Sequence, residues 1–276
     1  MKNSRGLLSG WCIGFLLLFI SSACAEPVRI SGTGAAISAV RQVTDLYGQR
    51  HPEVAVRFYL PPMGSSGAIK ALTTGELDIA LVGRPLKQEE RSAGLQQAWL
   101  GRSPFLFVVR QDAPVTSVSL AQLVDTYAGR QKSWPDGSRV RAVLRPVADA
   151  DTALLRAISP AMDEALTTAH AHRQPGSSLA DTDIDLADMV EKVPGALGSV
   201  ALTLVLAERR PLKGLIVDGV APTVAAMEEN RYPFAKPFFL VTRADAPAPV
   251  RALADFIRSA EGEAVLRPLG VSARQP

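Results

Sequence analysis

Strand-like and helix-like stretches alternate along almost the whole of this chain, and that alternation narrows the fold more than any other feature. VRISGTG (28–34) reads as a short strand ending in glycines. From Ala36 to Arg50 the apolar residues Ala36, Ile37, Val40, Val43, Leu46 and Tyr47 recur at three and four, the spacing of an amphipathic helix. His51-Pro52 ends it, because a residue before proline is pushed out of the helical region. VAVRFYL (54–60) is a second strand, Ser65 is placed to cap a helix running to Leu72 with Gly75 as its stop, and ELDIALVGRPL (76–86) is a buried strand closed by a proline. This βαβ rhythm predicts an α/β fold with mainly parallel sheets flanked by helices.

A second βα series begins after the apolar strand SPFLFVVRQDAP (103–114). It runs through helix 119–129, strand 139–146, helices 151–158 and 185–193, and strands 194–202 and 213–219. KPFFLVTRADAP (236–247) then echoes 103–114: proline, aromatic strand, arginine, Asp-Ala-Pro. The echo predicts that these two strands pair where the chain leaves a first domain and returns to it, with the C-terminal helical stretch 250–270 packing back on that domain.

Two glycine-and-hydroxyl turns open directly onto helices: ISGTGAAIS, with Thr33, Gly34 and Ala35, and MGSSGAIK, with Ser65, Ser66 and Gly67. A helix N-terminus carries unpartnered N–H groups and partial positive charge, and glycine lets an anion approach them closely. Either turn alone is equally an ordinary cap and tight turn. Two of them in successive βα units, aimed from parallel strand ends at one crevice, point toward a ligand. Arg145, at a strand end before Ala150, Asp151 and Thr152, could fork onto an oxyanion, or it could be a surface arginine paired with Asp149 or Asp151. Arg84, in LVGRPL, is a further strand-end cation.

The first 25 residues read as a leader. Lys2 and Arg5 precede an apolar run from Leu7 to Ile20, and Ala23-Cys24-Ala25 supplies a small-x-small cleavage pattern, so a periplasmic chain cut after Ala25 is expected. A lipoprotein anchored through Cys24 is the less favoured alternative, since Ser21 stands where an aliphatic residue is wanted. The whole chain has 30 basic and 27 acidic residues; without Lys2 and Arg5 it has 28 and 27. That near-neutrality gives a nucleic-acid partner no electrostatic support. Cys12 and Cys24 both lie in the leader, so no disulfide or cysteine metal site is expected in what remains.

Several features carry less. His170 and His172 are two apart with no third ligand evident, and are read as surface histidines. DTDIDLAD (181–188) has the alternating acids of a calcium loop but Leu186 and Lys192 where that loop needs glycine and glutamate. It is read as part of an exposed loop, 174–185, with Asp183 or Asp185 capping a helix. Trp99 and Trp134 are assigned to packing. Neither a nucleophile elbow nor a P-loop occurs, so no cofactor, metal or catalytic residue is expected.

In order along the chain, ISGTGAAISAVRQVTDLY, GSSGAIKALTTGELDIALVGRPL, RPVADADTALL, VPGALGSVAL, IVDGVAPTVAAMEENRYPFAKPFFLVT and FIRSAEGEAVL resemble the periplasmic phosphate-binding proteins of ABC importers, a branch of the periplasmic binding protein superfamily. The resemblance covers nearly all of the chain after the leader. It implies two α/β lobes joined by a two-stranded hinge: a leader 1–25, lobe I from 26–108 and 239–276, and lobe II from 109–238. It implies an oxyanion, most readily phosphate, held by Thr33, Gly34, Ala35, Ser65 and Arg145, a monomer, and importer membrane subunits as partners. Where the family shows a Ser-Gly-Thr turn this chain has Ala150-Asp151-Thr152, and Val82-Gly83-Arg84 stands where many members place an aspartate or serine. A carboxylate thus enters beside the expected anion. The reading is that Asp151 turns away to cap its helix and that Arg84 compensates. The alternatives are another oxyanion, a phosphorylated or carboxylated solute, or a non-transporting sensor or scaffold.

Overall fold

A computed structural model describes residues 26–172 and 178–275. The leader, its cleavage site and the first part of the expected 174–185 loop lie outside the described residues. The elements, in order, begin with β1 (Val28–Gly32), α1 (Gly34–Arg50), β2 (Val56–Phe58), α2 (Gly64–Thr73), β3 (Ile79–Val82) and α3 (Gln88–Ser92). Then follow β4 (Leu95–Arg110), β5 (Ser117–Val118), α4 (Leu120–Tyr127), β6 (Arg141–Leu144), α5 (Ala150–Arg156) and α6 (Pro160–Ala171). After these come β7 (Ser178–Leu179), α7 (Asp183–Lys192), β8 (Ala196–Ala201), α8 (Leu202–Ala207), β9 (Leu212–Gly214) and β10 (Ile216–Val217). The chain closes with α9 (Val224–Glu228), β11 (Ala235–Arg243), α10 (Ala248–Ile257) and α11 (Ala260–Leu266).

One mixed sheet runs in the order β2-β1-β3-β11-β4-β8-β6-β7, with β9 also on β4. β1 pairs in parallel with β2 and β3, and β6 with β7 and β8; β11 and β4 run antiparallel to their neighbours. Lobe I is the β2-β1-β3 side and lobe II the β8-β6-β7 side. The two aromatic strands do pair, as their echo predicts, but over a different stretch. β4 starts at Leu95, well before Ser103, and its first part matches β11 from Ala235↔Pro104 to Arg243↔Leu95. Phe105 to Val108 turn instead to β8, and Val108 to Arg110 to β9, so a single strand crosses from one lobe to the other.

This topology decides where the site can be. The C-terminal ends of the parallel strands β1, β3, β6 and β7 all face one gap, and β11, antiparallel to β3, begins there. The seam beside that gap is apolar. α1 packs on α7 and α8 across the lobes, and Ile37, Val40 and Val43 share a buried cluster with Leu186, Val190, Val200 and Leu204. Separate clusters fill lobe II, around Phe105, Phe107, Tyr127, Trp134 and Tyr232, and the outer face of lobe I, around Leu72, Leu77 and Val241. Burial of Trp134, whose indole N–H donates to Gly195 O at 3.0 Å, agrees with a packing role.

Candidate functional site

β1 ends at Gly32 with φ 152°, where a Cβ would lie 1.8 Å from Leu81 O, so glycine alone lets β1 come this close to β3. Thr33 follows, tied by its N–H to the same carbonyl at 2.9 Å, and α1 opens at Gly34. The Thr33 side chain does not cap its own helix. Its hydroxyl donates instead to Asp183 Oδ2 at 2.8 Å; Gly34 N–H donates to Oδ1 at 2.9 Å and Ala35 N–H to Oδ2 at 3.0 Å. The glycine-hydroxyl turn is therefore an oxyanion cradle, and the oxyanion in it is a carboxylate from the opposite lobe. The absent Cβ of Gly34 is what admits it, since a methyl there would sit 2.5 Å from Asp183 Oδ1.

Asp183 is the first residue of α7. Thr182 and Asp185 cap that helix reciprocally: Asp185 N–H donates to Thr182 Oγ1 at 3.0 Å, and Thr182 N–H to Asp185 Oδ2 at 3.0 Å. With the cap made by others, the Asp183 carboxylate is free to cross the gap. On its far side stands Lys236, near the start of β11 and 2% exposed. Its Nζ lies 3.3 Å from Asp183 Oδ2 and 2.9 Å and 2.7 Å from Asp151 Oδ2 and Oδ1. It is hydrogen-bonded to Oδ2 of Asp151, while Oδ1 is close enough for an ion pair but off the line of any hydrogen bond. Asp151 therefore does not cap α5. Asp149 does, accepting from Asp151 N–H at 2.9 Å, and the Asp151 side chain turns inward, 1% exposed.

Arg145 follows the end of β6 at the same gap and is buried. Its guanidinium forks onto Asp149, with Nη2 to Oδ2 at 2.8 Å and Nε to Oδ1 at 3.3 Å, and Nη1 donates to Ala180 O at 2.9 Å. The pairing with Asp149 is the one anticipated for a surface arginine, but in the interior. Thr152 Oγ1 donates to Pro146 O at 2.9 Å and closes the turn. His170, expected at the surface, is half-buried with its ring nitrogens 2.7 Å from Leu166 O and 2.9 Å from Arg145 O, so it braces this turn.

Burial disfavours every charge in the cluster, and the partners decide which survive. Asp183 is driven upward by burial, yet the ammonium of Lys236, the Arg145 guanidinium and the cradle's hydrogen bonds more than reverse this and hold it at about 2. Asp151 moves the other way: burial pushes its carboxyl up, and Lys236 offsets that only in part while Asp149 and Asp183 add repulsion. Burial would lower Lys236, but the two aspartates outweigh it and raise it. Three carboxylates face two cations, a net charge of −1 without any solute. A further negative charge 4 Å from one of these carboxylates would be opposed by about 4 kcal/mol at an effective dielectric near 20. The space left between Ser65, Arg145, Asp151, Asp183 and Lys236 is about 10 Å³, roughly one water molecule. The roomier hollow on lobe II, about 440 Å³ beside Thr126, Gln131 and Ala142, shares no lining residue with this cluster.

The structure thus brings together Thr33, Gly34, Ala35, Ser65, Arg145, Ala150 and Asp151. Ser65 is not the cap of α2, which starts one residue earlier after Met63; its Oγ accepts Gly83 N–H at 2.9 Å and ties α2 to the end of β3. Ser66 is exposed and Gly67 lies in the body of α2. Arg84 faces Glu90, with Nη2 to Oε1 at 2.7 Å, and reaches Ser66 Oγ at 3.3 Å, so it does not compensate Asp151. The compensating cation is Lys236. Asp183 and Lys236 are the residues that sequence reasoning missed. Among the described residues no group of three or more His, Cys, Asp or Glu is arranged to hold a metal, and no helix is long and apolar enough to cross a membrane.

Comparison with known proteins fits this arrangement. A family model described as the PBP superfamily domain matches residues 20–261. A phosphate-binding protein PstS 2 of Streptococcus pneumoniae is 26% identical over 116 residues, 42% of this chain and 39% of its own length. The match therefore spans about two fifths of that relative. A crystal structure from Clostridium perfringens with bound phosphate superposes with a TM-score of 0.77 at 21% identity, covering 91% of this chain and all of the other. An ABC-type phosphate transport receptor from Vibrio cholerae gives 0.63 at 20% identity, covering 90% and 100%. At such identities the two structures establish the α/β two-lobed fold.

Proposed function

The chain belongs to the PBP superfamily, a family of binding proteins rather than enzymes, and on that premise we propose that it is an extracytoplasmic solute-binding protein taking an oxyanion of the phosphate class into the cleft between its lobes. One observation carries this reading. The Thr33–Ala35 turn presents a hydroxyl and two backbone N–H groups that already grip a carboxylate at 2.8–3.0 Å. Those donors, fixed at a helix N-terminus without a formal charge of their own, would grip two oxygens of a phosphate in the same way. Ser65 and Arg145 stand across the same gap. In this reading lobe I comprises 26–108 with 239–276, and lobe II 109–238. The leader is removed after Ala25, and the monomer hands its solute to the membrane subunits of an ABC importer.

A thermal melt against inorganic phosphate, sulfate, molybdate and small carboxylates tests this. A solute at a hundredfold excess over its Kd adds about 2.7 kcal/mol of stability, and Thr33→Val should abolish most of that gain by removing one cradle donor. If no oxyanion stabilises the chain, even after Asp183 has been removed from the cradle, the proposal fails.

A second reading is a sensor or scaffold that moves no solute. It is favoured by the engagement of Arg145 with Asp149 and Ala180, and by the small space that remains. It predicts the same melting curve with and without every anion.

A further inference from the structure

The carboxylate in the cradle belongs to the chain itself, and this has consequences for how any solute could enter. Asp183 lies 150 residues from Thr33 in sequence and on the opposite lobe, so its three hydrogen bonds are also a lobe-to-lobe contact. Lys236, near the start of β11, faces the same carboxylate. Around them the seam is closed: Ser38 on α1 donates to Glu208 beyond α8 at 2.6 Å, and Arg210 joins Glu208 to Asp188 and Glu191 on α7. A solute anion needs the donors that Asp183 occupies.

We infer that Asp183 is an internal ligand that latches the lobes shut by filling the oxyanion cradle, so that solute binding and this closed form compete for the same donors. The inference rests on the oxyanion reading above for what competes, but not for the latch itself. Three features support it. The Thr33 hydroxyl and the Gly34 and Ala35 N–H groups are all used by Asp183. The fit is specific, since Gly34 lacks the one atom that would exclude the carboxylate. The charge accounting leaves no place for a solute beside Asp183 in the closed form, because two further carboxylates, Asp149 and Asp151, line the same pocket.

The consequence inverts the usual expectation for a two-lobed binder. A ligand shifts a two-state equilibrium only toward the state it binds better. Here an external oxyanion binds the cradle only when Asp183 has left it, so it favours the opened form. Its apparent affinity is reduced by the fraction of molecules that are unlatched. A tethered group acts as if present at millimolar concentration or more. Removing it should therefore tighten binding of a free solute by the ratio of that effective concentration to the carboxylate's own dissociation constant for the cradle, at least tenfold where that constant is about 0.1 mM or lower.

The test compares the full chain with Asp183→Ala and Asp183→Asn, by calorimetric titration with inorganic phosphate and sulfate and by small-angle scattering with and without each. Asn keeps the shape and removes the charge, and circular dichroism confirms that each variant is folded. The expected result is that the wild type is compact without anion and expands at saturating phosphate. Asp183→Ala should be expanded without anion and bind phosphate at least tenfold more tightly than wild type, with Asp183→Asn between them. Equal affinity in wild type and both variants overturns the latch while leaving the oxyanion reading standing. An expanded Asp183→Ala that binds no oxyanion supports the latch and ends the oxyanion reading. A wild type that grows more compact with phosphate, or an Asp183→Ala as compact as wild type, overturns the inference.

Discussion

Lys236→Met offers the sharpest energetic test of the cluster. The lysine is almost completely buried, and its ammonium is the hydrogen-bonded partner of Asp151 and lies 3.3 Å from Asp183. Methionine fills a similar volume, so packing changes little. What remains is two buried carboxylates without their cation. Asp183 keeps its three cradle donors and stays ionised. The Asp151 carboxylate, among the described residues, accepts a hydrogen bond from Lys236 alone, and it carries the loss. Breaking a buried pair from one side typically costs about 3–5 kcal/mol. A second route sets an upper bound: the variant can escape the uncompensated charge by protonating Asp151. Holding a carboxyl of ordinary pKa near 3.9 neutral at pH 7 costs about 4 kcal/mol, which caps the loss. For a chain of this size each kcal/mol lowers Tm by about 2–4 °C, so a fall of no more than roughly 16 °C is expected. The pH dependence has a definite sign. A carboxyl raised in the folded state contributes stability that is fully present below its unfolded pKa and disappears as pH rises through its folded pKa. Burial already pushes Asp151 up to about 6 in the wild type, so both proteins lose stability alike below that, and the variant's extra deficit should open above about pH 6 and grow by about 1.4 kcal/mol per unit. Urea unfolding of wild type and variant at several pH values reads this directly. Lys236→Met/Asp151→Val, which removes both partners, should recover most of the loss. A deficit below about 1 kcal/mol at pH 7, or one that does not change with pH, would refute the argument.

Other perturbations probe the frame around the cluster. Gly34→Ala places a methyl 2.5 Å from Asp183 Oδ1 and 2.8 Å from Ile184 Cγ1; overpacking of this kind costs about 1–3 kcal/mol, and the scattering radius should rise as the lobes part, whereas unchanged melting and scattering would mean the contact is not tight. Arg29 donates to Asp78 from its backbone N–H, Nε and Nη2, each at 2.9 Å, and so pins β1 to the start of β3. Arg29→Met should cost about 1.5–3 kcal/mol in urea unfolding. Although burial alone would raise Asp78, its bonds to Arg29 hold it below its ordinary value, so that stability is present above the unfolded carboxyl pKa and fades as pH falls through the lowered one; an acid-unfolding midpoint that Arg29→Met leaves in place would contradict this.

Much of the frame could be read in the sequence because it is written locally. The βα alternation and the cradle at Thr33–Ala35 each depend on residues a few positions apart, and the two aromatic strands announce their pairing by repeating one local pattern. The helix α6 was not among the elements read, although its start signal is local: Ser159 accepts Met162 N–H and Pro160 takes the first helical position. The contents of the cleft were not legible in the same way. DTDID looks like a solvated acidic loop, and nothing near Asp183 in the chain reveals that its partners are Thr33, Gly34 and Ala35. One signal was available. The Thr182–Asp185 spacing of a capping box assigns the cap to those two and leaves Asp183 uncommitted at a helix start. Lys236 gives a similar hint, as a lone charge directly ahead of PFFLV, where a strand is about to be buried.

The substitutions in the cleft make physical sense only as a set. An aspartate at 151, where the resemblance would lead one to expect a glycine, would be intolerable alone, because a buried carboxylate without a cation either protonates or destabilises the fold. Lys236 makes Asp151 tolerable, but one ammonium between Asp151 and a solute dianion would be shared by too much negative charge. Asp183 resolves this by bringing a single charge, already attached to the chain, to donors that would otherwise be left unpartnered in a dry seam. Replacing Asp151 alone by glycine would leave Lys236 facing Asp183 only, with the latch intact. Removing Asp183 alone would leave the cradle open beside a Lys236–Asp151 pair that is close to neutral. The second change, not the first, is therefore the one that should turn this closed cleft into an anion site, and measuring phosphate affinity in the two single variants separates these cases.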